Sequence, residues 1–371
     1  MIFFAAGRSV DGCNGACYYL YRLFMTLIII SLLLFVLYAL LMLVYTGGWY
    51  RQKTQIIKEA DAKRPSISVI IPARNEAANI GQCLQSVLQN HYPAALLEII
   101  VIDDFSTDAT AAIAENLLQG GKGRVLHLEQ YLSASERLNS YKKKALEIAI
   151  SEAQGDWIVT TDADCIVPSS WLNSMTAAMQ SEAVKFIAAP VSFFPPRQRK
   201  NMLYYFQSLD FMTMQGITAA SARLQLGNMC NGANLAFQKE AFYQVDGYRG
   251  IDHIATGDDM LLMQKIQLRY PEGICYLKSR DAMVQTPAQP TWSSFLNQRI
   301  RWSSKAGHYD DKKLTAILTF VYLFNLSFIV LALAGCFNIR YWYWLLGILL
   351  AKIIAELIFL APVARFYRKT K

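Results

Sequence analysis

A long apolar run near the start of the chain is the feature that most constrains its fold. Residues Leu23–Tyr45 read LFMTLIIISLLLFVLYALLMLVY and contain no charged side chain. About 20 apolar residues in a helix are enough to cross the ~30 Å hydrocarbon core of a bilayer. The sequence therefore predicts a transmembrane helix over 23–46. Two further apolar stretches predict transmembrane helices over 314–337 and 341–364.

The composition supports a chain that lies partly in lipid. Hydrophobic residues make up 54% and charged residues only 17%, whereas a typical soluble domain has about 25% charged residues. These values exclude an intrinsically disordered chain. The seven cysteines form no Cys-x-x-Cys pair, which argues against a structural zinc site. No nucleic-acid-binding motif accompanies the net charge of +8, so we expect no nucleic-acid partner.

The positive charge is concentrated beside the predicted transmembrane helices. Lysine and arginine are frequent in three flanking segments: 47–64, 291–313 and 365–371. The short connection Asn338–Arg340 has a single basic residue. Because basic segments stay in the cytoplasm, we expect a multi-pass protein of the cell membrane, with 65–290 and the C-terminal tail cytoplasmic and 1–22 extracytoplasmic. Met25 offers an alternative start, which leaves the role of 1–22 open.

The predicted cytoplasmic domain alternates short apolar strands with helical patterns. The predicted strands are Ser66–Ile71, Leu97–Ile102, Arg124–Leu128 and Trp157–Thr161. The predicted helices between them are Glu76–Asn90, Asp108–Gln119 and Lys142–Ala153. This alternation is typical of an α/β domain with a mostly parallel, doubly wound sheet. Ligands of such sheets bind at the carboxyl ends of the strands.

A pair of aspartates follows the fourth predicted strand. Asp162 and Asp164 are two residues apart, so in an extended chain their side chains point the same way. Two carboxylates can then hold one hard cation such as Mg²⁺ or Mn²⁺, with phosphate oxygens of a nucleotide as further ligands. An Asp-x-Asp pair alone is a weak signal, because most such pairs are solvated acids of a loop.

Further motifs accompany this pair in a fixed order. They are Ile71-Pro-Ala-Arg-Asn-Glu76, Val101-Ile-Asp-Asp-Phe-Ser-Thr-Asp108, Lys142 before Ala145-Leu146, Asn231-Gly-Ala-Asn234, Gly257-Asp-Asp259 and Gln298-Arg-Ile-Arg-Trp302. Over Ile67–Trp302 the chain resembles the inverting family-two glycosyltransferases with a GT-A fold. The Gln-x-x-Arg-Trp motif is similar to that of the membrane-bound branch. This branch includes cellulose, chitin, hyaluronan and poly-N-acetylglucosamine synthases and ceramide glucosyltransferase.

The resemblance implies a role for each matching position. The residues expected to bind a UDP-sugar donor are Pro72, Ala73, Glu76, Asp103, Asp104, Lys142 and Asp162. Asp162 and Asp164 are the expected ligands of a divalent metal ion, Mg²⁺ or Mn²⁺. The expected catalytic residues are Asp259 as general base, with Gln298, Arg301 and Trp302. The acceptor side is expected to include Asn231, Gly232 and Asp258.

Two positions depart from the pattern of the family. Asp258 stands where many relatives have glutamate, and Tyr141 stands where many have glycine before the lysine. One alternative also remains for the general base, because Asp259 precedes a predicted helix near Met260 and could be only its N-cap. Trp302 could likewise be only an interfacial anchor next to the second predicted transmembrane helix.

The resemblance and the residues together predict a membrane-anchored, metal-dependent, inverting glycosyltransferase. A sugar would pass from a UDP-sugar to a lipid or glycan acceptor at the cytoplasmic face, where membrane lipids are further expected partners. One alternative is a subunit of a processive polysaccharide synthase, although three spans are few for a chain that must enclose a sugar channel alone. Another is a catalytically inactive scaffold that binds a nucleotide-sugar. The sequence leaves the sugar, the acceptor and the oligomeric state open.

Overall fold

A computed structural model describes residues 10–54, 64–121, 123–132, 140–195, 201–254, 256–304 and 311–367. Predictions that concern 1–9, most of the basic linker (55–63), 305–310 and 368–371 lie outside the described residues. The chain divides into two compact units. The first comprises Met1–Thr46 with Ala316–Ala361, and the second comprises Gly47–Thr315 with Pro362–Lys371.

The structure consists of helices and short strands in alternation. The helices are α1 (Val10–Arg51), α2 (Ile80–Leu88), α3 (Thr110–Leu118), α4 (Tyr141–Glu152), α5 (Trp171–Met179), α6 (Met202–Leu224), α7 (Lys239–Gln244), α8 (Met260–Arg269), α9 (Trp292–Ser303), α10 (Lys312–Gly335) and α11 (Arg340–Tyr367). The strands are β1 (Ile67–Ala73), β2 (Leu97–Asp103), β3 (Arg124–His127), β4 (Trp157–Thr160), β5 (Phe186–Ala188), β6 (Val191–Phe193), β7 (Leu235–Gln238), β8 (Ile274–Tyr276) and β9 (Val284–Thr286).

Three helices among the described residues, α1 from Phe24 onward, α10 and α11, are long and apolar enough to cross a membrane. Polar contacts join α1 to α11 within the first unit. Tyr38 donates a hydrogen bond of 2.6 Å to Glu356, which also forms an ion pair with Lys352. Near the other end of these helices Trp344 donates a hydrogen bond of 2.8 Å to Ser31. These contacts satisfy polar groups that would be costly to leave unpaired in lipid.

The second unit contains a seven-stranded sheet in the order β3-β2-β1-β4-β7-β5-β8. Strands β1, β2, β3 and β4 are parallel, and so are β5 and β8. Strand β7 runs antiparallel to both of its neighbours, β4 and β5. Strands β6 and β9 pair in a separate two-stranded sheet. The predicted mostly parallel sheet flanked by helices is therefore confirmed.

The alternation of buried residues explains how helices cover the sheet. Residues Ile67, Val69 and Ile71 of β1 are fully buried in one hydrophobic core. The apolar side chains of α2 lie in the same core and recur at a helical spacing: Ile80, Cys83, Leu84 and Val87. Burial of each aliphatic side chain of this size contributes roughly 1.5–3 kcal/mol. The sheet is therefore a rigid support for the residues at its strand ends.

Several element boundaries differ from those that the sequence predicts, above all the start of α1, which lies at Val10 and not at residue 23. Strand β1 continues through Pro72 to Ala73, where the sequence predicts an end at Ile71. Proline is tolerated there because β4 stops opposite Ile70, so only β2 pairs with this part of the strand. Helix α2 begins at Ile80 and not at Glu76, because the chain turns first and the Asn79 amide donates to the Glu76 carbonyl.

A basic segment after β8 binds the last turns of two long helices. The Lys278 ammonium group donates to the carbonyl oxygens of Trp49 (2.9 Å) and Gln52 (3.2 Å) at the end of α1. The Arg280 guanidinium group donates to the carbonyl oxygens of Arg365 and Phe366 near the end of α11, each at 2.7 Å. Cations at helix C-termini satisfy unpaired carbonyl groups and favour the helix dipole.

Candidate active site at the strand ends

The first part of the site lies where β1 and β2 end side by side. Ala73 pairs with Asp103 in the register, and the Asp104 amide donates to the Ala73 carbonyl at 2.8 Å. Asp103 and Asp104 are each only 7% exposed, and one carboxylate oxygen of each has no hydrogen-bond partner among the described residues. Burial raises the pKa of Asp104, and the nearby Arg74 opposes that shift. Buried acceptors of this kind are suited to a ligand with N–H or O–H donors.

The loops after β1 and β2 are fastened to each other by side chains. The Asn75 backbone amide donates to the Ser106 hydroxyl group (2.9 Å), and the Asn75 side-chain oxygen accepts from the Thr107 backbone amide (2.8 Å). The Glu76 backbone amide donates to the Thr110 hydroxyl group (2.7 Å). Asn75 and Phe105 both adopt the left-handed conformation, with φ of 55°. Such backbone costs about 1–2 kcal/mol for residues other than glycine, and strain of this kind is frequent at functional sites.

Tyr141, which departs from the family pattern, contacts this same corner. Its ring meets that of Phe105 edge to face, with the centroids 5.7 Å apart. The pair connects the end of β2 with the start of α4. We therefore see an aromatic contact at a position where the resemblance leads one to expect glycine.

The two predicted metal ligands follow β4 in a tight turn. The Cys165 amide donates to the Asp162 carbonyl, and the next residue, Ile166, forms a bridge to Gln285. Potential ligand atoms of Asp162, Asp164 and Cys165 all lie within 4.8 Å of one another. Burial and the charge of Asp162 raise the pKa of Asp164 to about 6. Two close carboxylates whose charges oppose each other fit a hard divalent cation, which would relieve that repulsion.

Lys142 connects the predicted metal ligands to the predicted acceptor side. It lies in the first turn of α4, behind the Ser140 N-cap. Its ammonium nitrogen is 3.0 Å from a carboxylate oxygen of Asp162 and 3.3 Å from one of Asp258. Burial opposes the charged form, but these carboxylates outweigh it and hold the pKa of Lys142 well above its usual range. The lysine therefore keeps a positive charge between the predicted metal ligands and the predicted acceptor side.

Asp259 is held by two backbone amides. One carboxylate oxygen accepts from the Met260 amide at 2.7 Å, and the other accepts from the Gly232 amide at 3.0 Å. Asp259 is thus the N-cap of α8, which is the alternative to a general base that the sequence offers for this residue. The same carboxylate also lines a cavity with the other predicted site residues. Its cap contact and its place in the cavity are therefore compatible.

The antiparallel direction of β7 explains why Asn231 and Gly232 reach the site. In the parallel strands the residues at this edge follow the strand, whereas in β7 they precede it. Gly232 lies close enough that a Cβ atom there would be 3.5 Å from the Asp259 side chain and 3.6 Å from that of Asp258. Asn234 has a structural role, because its side chain bonds Trp171, Pro190 and Ala282 in the interior.

The predicted residues of the later motifs line one cavity of about 370 Å³. They are Lys142, Asp162, Asp164, Asn231, Gly232, Asp258, Asp259, Gln298, Arg301 and Trp302. Volumes of about 300–1,000 Å³ are usual for small-molecule sites. The early predicted residues do not line this cavity and lie at the neighbouring ends of β1 and β2: Pro72, Ala73, Glu76, Asp103 and Asp104. A larger cavity of about 690 Å³ meets the first one at Asp164, Pro287 and Gln289.

Helix α9 places Trp302 against the core through a residue that sequence reasoning missed. The Arg299 guanidinium lies 4.3 Å from the centre of the Trp302 ring and forms an ion pair with Asp210 of α6. Trp302 also contacts Phe211, at a centroid distance of 6.4 Å. Trp302 therefore packs against the core and also lines the cavity. Arg299 could have been found as the second residue of the Gln-x-x-Arg-Trp motif, but no sequence signal points to Asp210.

Matches to known proteins cover most of the chain. Residues 68–245 match Glycosyl transferase family 2, and residues 157–360 match Glycosyl transferase family group 2. Glycosyltransferase GlyG of Streptococcus pneumoniae serotype 4 is 30% identical over 238 residues, which are 61% of this chain and 75% of GlyG. Glycosyltransferase AglE of Haloferax volcanii is 27% identical over 196 residues, which are 53% of this chain. The chain spans only 59% of the length of AglE.

A solved structure shows the same fold. The mannosyltransferase PcManGT from Pyrobaculum calidifontis, in complex with GDP-Man and Mn²⁺, aligns with a TM-score of 0.56 and 19% identity. The alignment covers 89% of this chain and 99% of PcManGT. At this identity the likeness concerns the fold. Because the family matches extend from the first strand of the sheet into the last apolar helix, we conclude that the chain belongs to glycosyl transferase family 2 and has the GT-A fold.

Proposed function

We propose that this protein is an inverting glycosyltransferase that moves a sugar from a UDP-sugar to a lipid or glycan acceptor at a membrane. The observation that carries the proposal is one cavity, which is lined by Asp259, Lys142 and Arg301 together with the Asp162–Asp164 pair. A base, two cations and a pair of metal-binding carboxylates are the groups that glycosyl transfer from a diphosphate requires.

The donor side rests on the strand ends. The unpartnered oxygens of Asp103 and Asp104 can accept hydrogen bonds from the base or ribose of a nucleotide. PcManGT, which shares the fold, was solved with a nucleotide-sugar, GDP-Man, and with Mn²⁺. Asp162 and Asp164 would hold a divalent ion, Mg²⁺ or Mn²⁺, and such an ion supplies positive charge to a diphosphate.

The reaction is a single displacement. Asp259 takes the proton of the acceptor hydroxyl group, and the oxygen of that group attacks the anomeric carbon of the sugar. The bond from this carbon to the diphosphate oxygen breaks, and the UDP leaves with the bonding electrons. Lys142 and Arg301 stabilise the charge that develops on the leaving group. One displacement inverts the configuration of the anomeric carbon. The two amides that hold Asp259 keep its carboxylate oriented for the proton transfer.

Exposed apolar side chains on α6 and α9 support an acceptor that carries a lipid. They are Met202, Tyr205, Phe206, Leu209, Trp292, Leu296 and Ile300, all between 47% and 80% exposed. The rings of Phe206 and Trp292 are in contact, so the two helices form one surface. Apolar and aromatic side chains on helix faces are suited to the interface of a bilayer. This surface fits either kind of acceptor at a membrane, and the three spans among the described residues, few for a sugar channel, favour a single addition to a lipid over a processive synthase.

Purified membranes with radiolabelled nucleotide-sugars test this proposal. We expect label from a UDP-sugar to enter a product that partitions into organic solvent and to remain in the donor when metal is chelated. An ethanol-insoluble product would instead identify a polysaccharide synthase. UDP binding without transfer from any nucleotide-sugar would identify the inactive scaffold. The Lys142→Met variant is the matched negative control, since it removes the cation between Asp162 and Asp258.

A further inference from the structure

The residue next to Lys142 has a different and unusual environment. Lys143 is only 1% exposed, which is rare for lysine because burial of its charge is costly. Its ammonium group donates to three backbone carbonyl oxygens: Ile251 (2.6 Å), Ile254 (2.7 Å) and Thr256 (3.0 Å). An ammonium group has three donors, so these three carbonyl groups match its donor number.

The three carbonyl groups belong to the segment that precedes the predicted base. This segment, 245–259, connects α7 to α8 and forms turns, without helix or strand among its described residues. Its backbone carbonyls therefore lack the regular partners of a helix or a sheet. Thr256 is followed by Gly257, which has a φ of 85°, and then by Asp258 and Asp259. The Lys143 contacts thus end two residues before the acidic pair.

We propose that Lys143 is a positioning residue that sets the place of Asp258 and Asp259 relative to the donor side, an inference that rests on the proposed function. Lys142 and Lys143 are neighbours in the first turn of α4. Lys142 reaches Asp162 and Asp258 from the cavity, while Lys143 holds the backbone just before Asp258. One helical turn therefore fixes both the metal-binding side and the acceptor side.

The chain offers a matched control for this inference. Lys265 of α8 donates to the carbonyl oxygens of Gly247 (2.6 Å) and Arg249 (2.8 Å). These contacts are of the same kind and belong to the same segment, but they lie at its other end. If lysine contacts served only the stability of the segment, loss of either lysine would have the same consequence. If Lys143 positions the acidic pair, only its loss will slow the reaction.

The experiment compares Lys143→Met, Lys143→Gln and Lys265→Met in the full-length protein. The readouts are the melting temperature, the dissociation constant of UDP with Mn²⁺, and kcat at saturating UDP-sugar. A misplacement of about 1 Å costs up to ~100-fold in rate, so for Lys143→Met we expect kcat to fall ~10–100-fold. The UDP dissociation constant should stay within about twofold, because no donor-binding residue has changed. Lys143→Gln keeps two donors and should retain an intermediate rate.

The control should lose stability without losing rate. For Lys265→Met we expect a lower melting temperature and a kcat within about twofold of the wild type. Equal rates per folded molecule in Lys143→Met and Lys265→Met would overturn the inference, and so would a loss of UDP affinity with an unchanged kcat. If Lys143→Met does not fold, the same comparison is made with Lys143→Gln.

A measurement that needs no turnover separates this inference from the proposed function. The Met260 and Gly232 amides bond to Asp259, so their hydrogen exchange reports on its place. We expect faster exchange of both amides in Lys143→Met than in Lys265→Met, and equal exchange would overturn the inference. A wild-type protein that transfers no sugar would overturn the proposed function, and hydrogen exchange would still decide whether Lys143 positions the acidic pair.

Discussion

At the scale of single residues, Asp259 combines a structural contact with a proposed chemical role. Its two carboxylate oxygens accept one backbone amide each, one from α8 and one from the turn before β7. A carboxylate oxygen has two lone pairs, so a contact with one amide orients it without using up its capacity to accept a proton. The cap and the base can therefore be separated only by measurements that distinguish stability from rate.

For Asp259→Asn we expect transfer to be at least ~100-fold slower while UDP binding stays near the wild-type value, because the amide group is not a base. The asparagine nitrogen cannot accept from one of the two backbone amides, so stability should also fall by about 1 kcal/mol. Rates per folded molecule and melting curves measure the two effects. Asn201→Ala is the control, since it removes the N-cap of α6 and should lower stability alone. Full specific activity of Asp259→Asn would leave only the cap and make Asp258 the next candidate.

Asp164 carries a second prediction, on the dependence of stability on pH. Burial and Asp162 raise its pKa from 3.8 to about 6, so the fold disfavours the ionised form. The stability associated with a raised pKa is present below pH 3.8 and is lost as the pH rises through about 6. Asp164→Asn has no charge to bury. Without metal it should therefore be more stable than the wild type by about 3 kcal/mol above pH 6, with the difference falling below about 1 kcal/mol near pH 4.

Melting curves between pH 4 and pH 8, with and without Mn²⁺, check this prediction. Mn²⁺ should raise the melting temperature of the wild type at pH 7.5 and leave that of Asp164→Asn unchanged, and the variant should transfer no sugar. A variant less stable than the wild type at pH 7.5 without metal would contradict the argument. Equal stabilisation of both proteins by Mn²⁺ would remove Asp164 from the proposed metal ligands.

The sequence predicts those site residues that stand at a recognisable place in the chain. Asp162 and Asp164 follow a predicted strand, the family resemblance implies Lys142, and the structure brings the three together. Lys143 gives no such signal, because a lysine in a helix is usually solvated and only the fold reveals its three carbonyl partners. Asp210 also gives no signal in the sequence, because its partner Arg299 is far away along the chain and only the fold brings the two together.

At the scale of elements, the sequence predicts β1–β4 but not the later strands. Strands β1 and β2 are seven residues long and nearly all apolar, so the sequence predicts them as buried strands of a parallel sheet. Strands β5, β6, β8 and β9 have three residues each, which is too short for any periodicity to be visible. They depend on pairing partners that are distant in the chain, and the antiparallel insertion of β7 is equally invisible before the fold is known.

The contact of α6 with α9 carries a prediction of its own. Arg299 pairs with Asp210 and lies against the Trp302 ring, so Arg299→Met should free that ring and leave an unpaired carboxylate. We expect transfer to fall ~10-fold with unchanged UDP binding, because Trp302 lines the cavity on the proposed acceptor side. Indole fluorescence should report a more mobile Trp302.

A double-mutant cycle with Asp210→Asn provides the control for this contact. The effects of Asp210→Asn and Arg299→Met should be less than additive in the double variant, because both remove the same ion pair. Strict additivity would mean that Arg299 acts on Trp302 without Asp210. A loss of UDP affinity in Arg299→Met would place the residue on the donor side instead.

At the scale of the whole molecule, the predicted topology is open to direct measurement. The charge distribution predicts that Asn338 lies outside and the segment before α10 inside. Cys13 and Cys17 lie in the predicted extracytoplasmic segment, Cys336 is exposed, and Cys230 and Cys275 are half-buried, so these five must first be replaced by serine. In that background, Asn338→Cys should react with an impermeant maleimide in intact cells, whereas Ser304→Cys should react only after permeabilisation. The reverse pattern would overturn the topology and place the site away from the cytoplasmic pool of UDP-sugars.

The contacts of Lys278 and Arg280 have a consequence for helix direction that does not depend on charge. Both side chains bind carbonyl oxygens from the last turns of α1 and α11, so one segment receives the C-terminal ends of two helices. Two helices that cross a bilayer toward the same segment run in the same sense. The start of the apolar part of α1 then lies beside the start of α11, where the rings of Phe24 and Tyr341 meet edge to face with their centroids 4.9 Å apart.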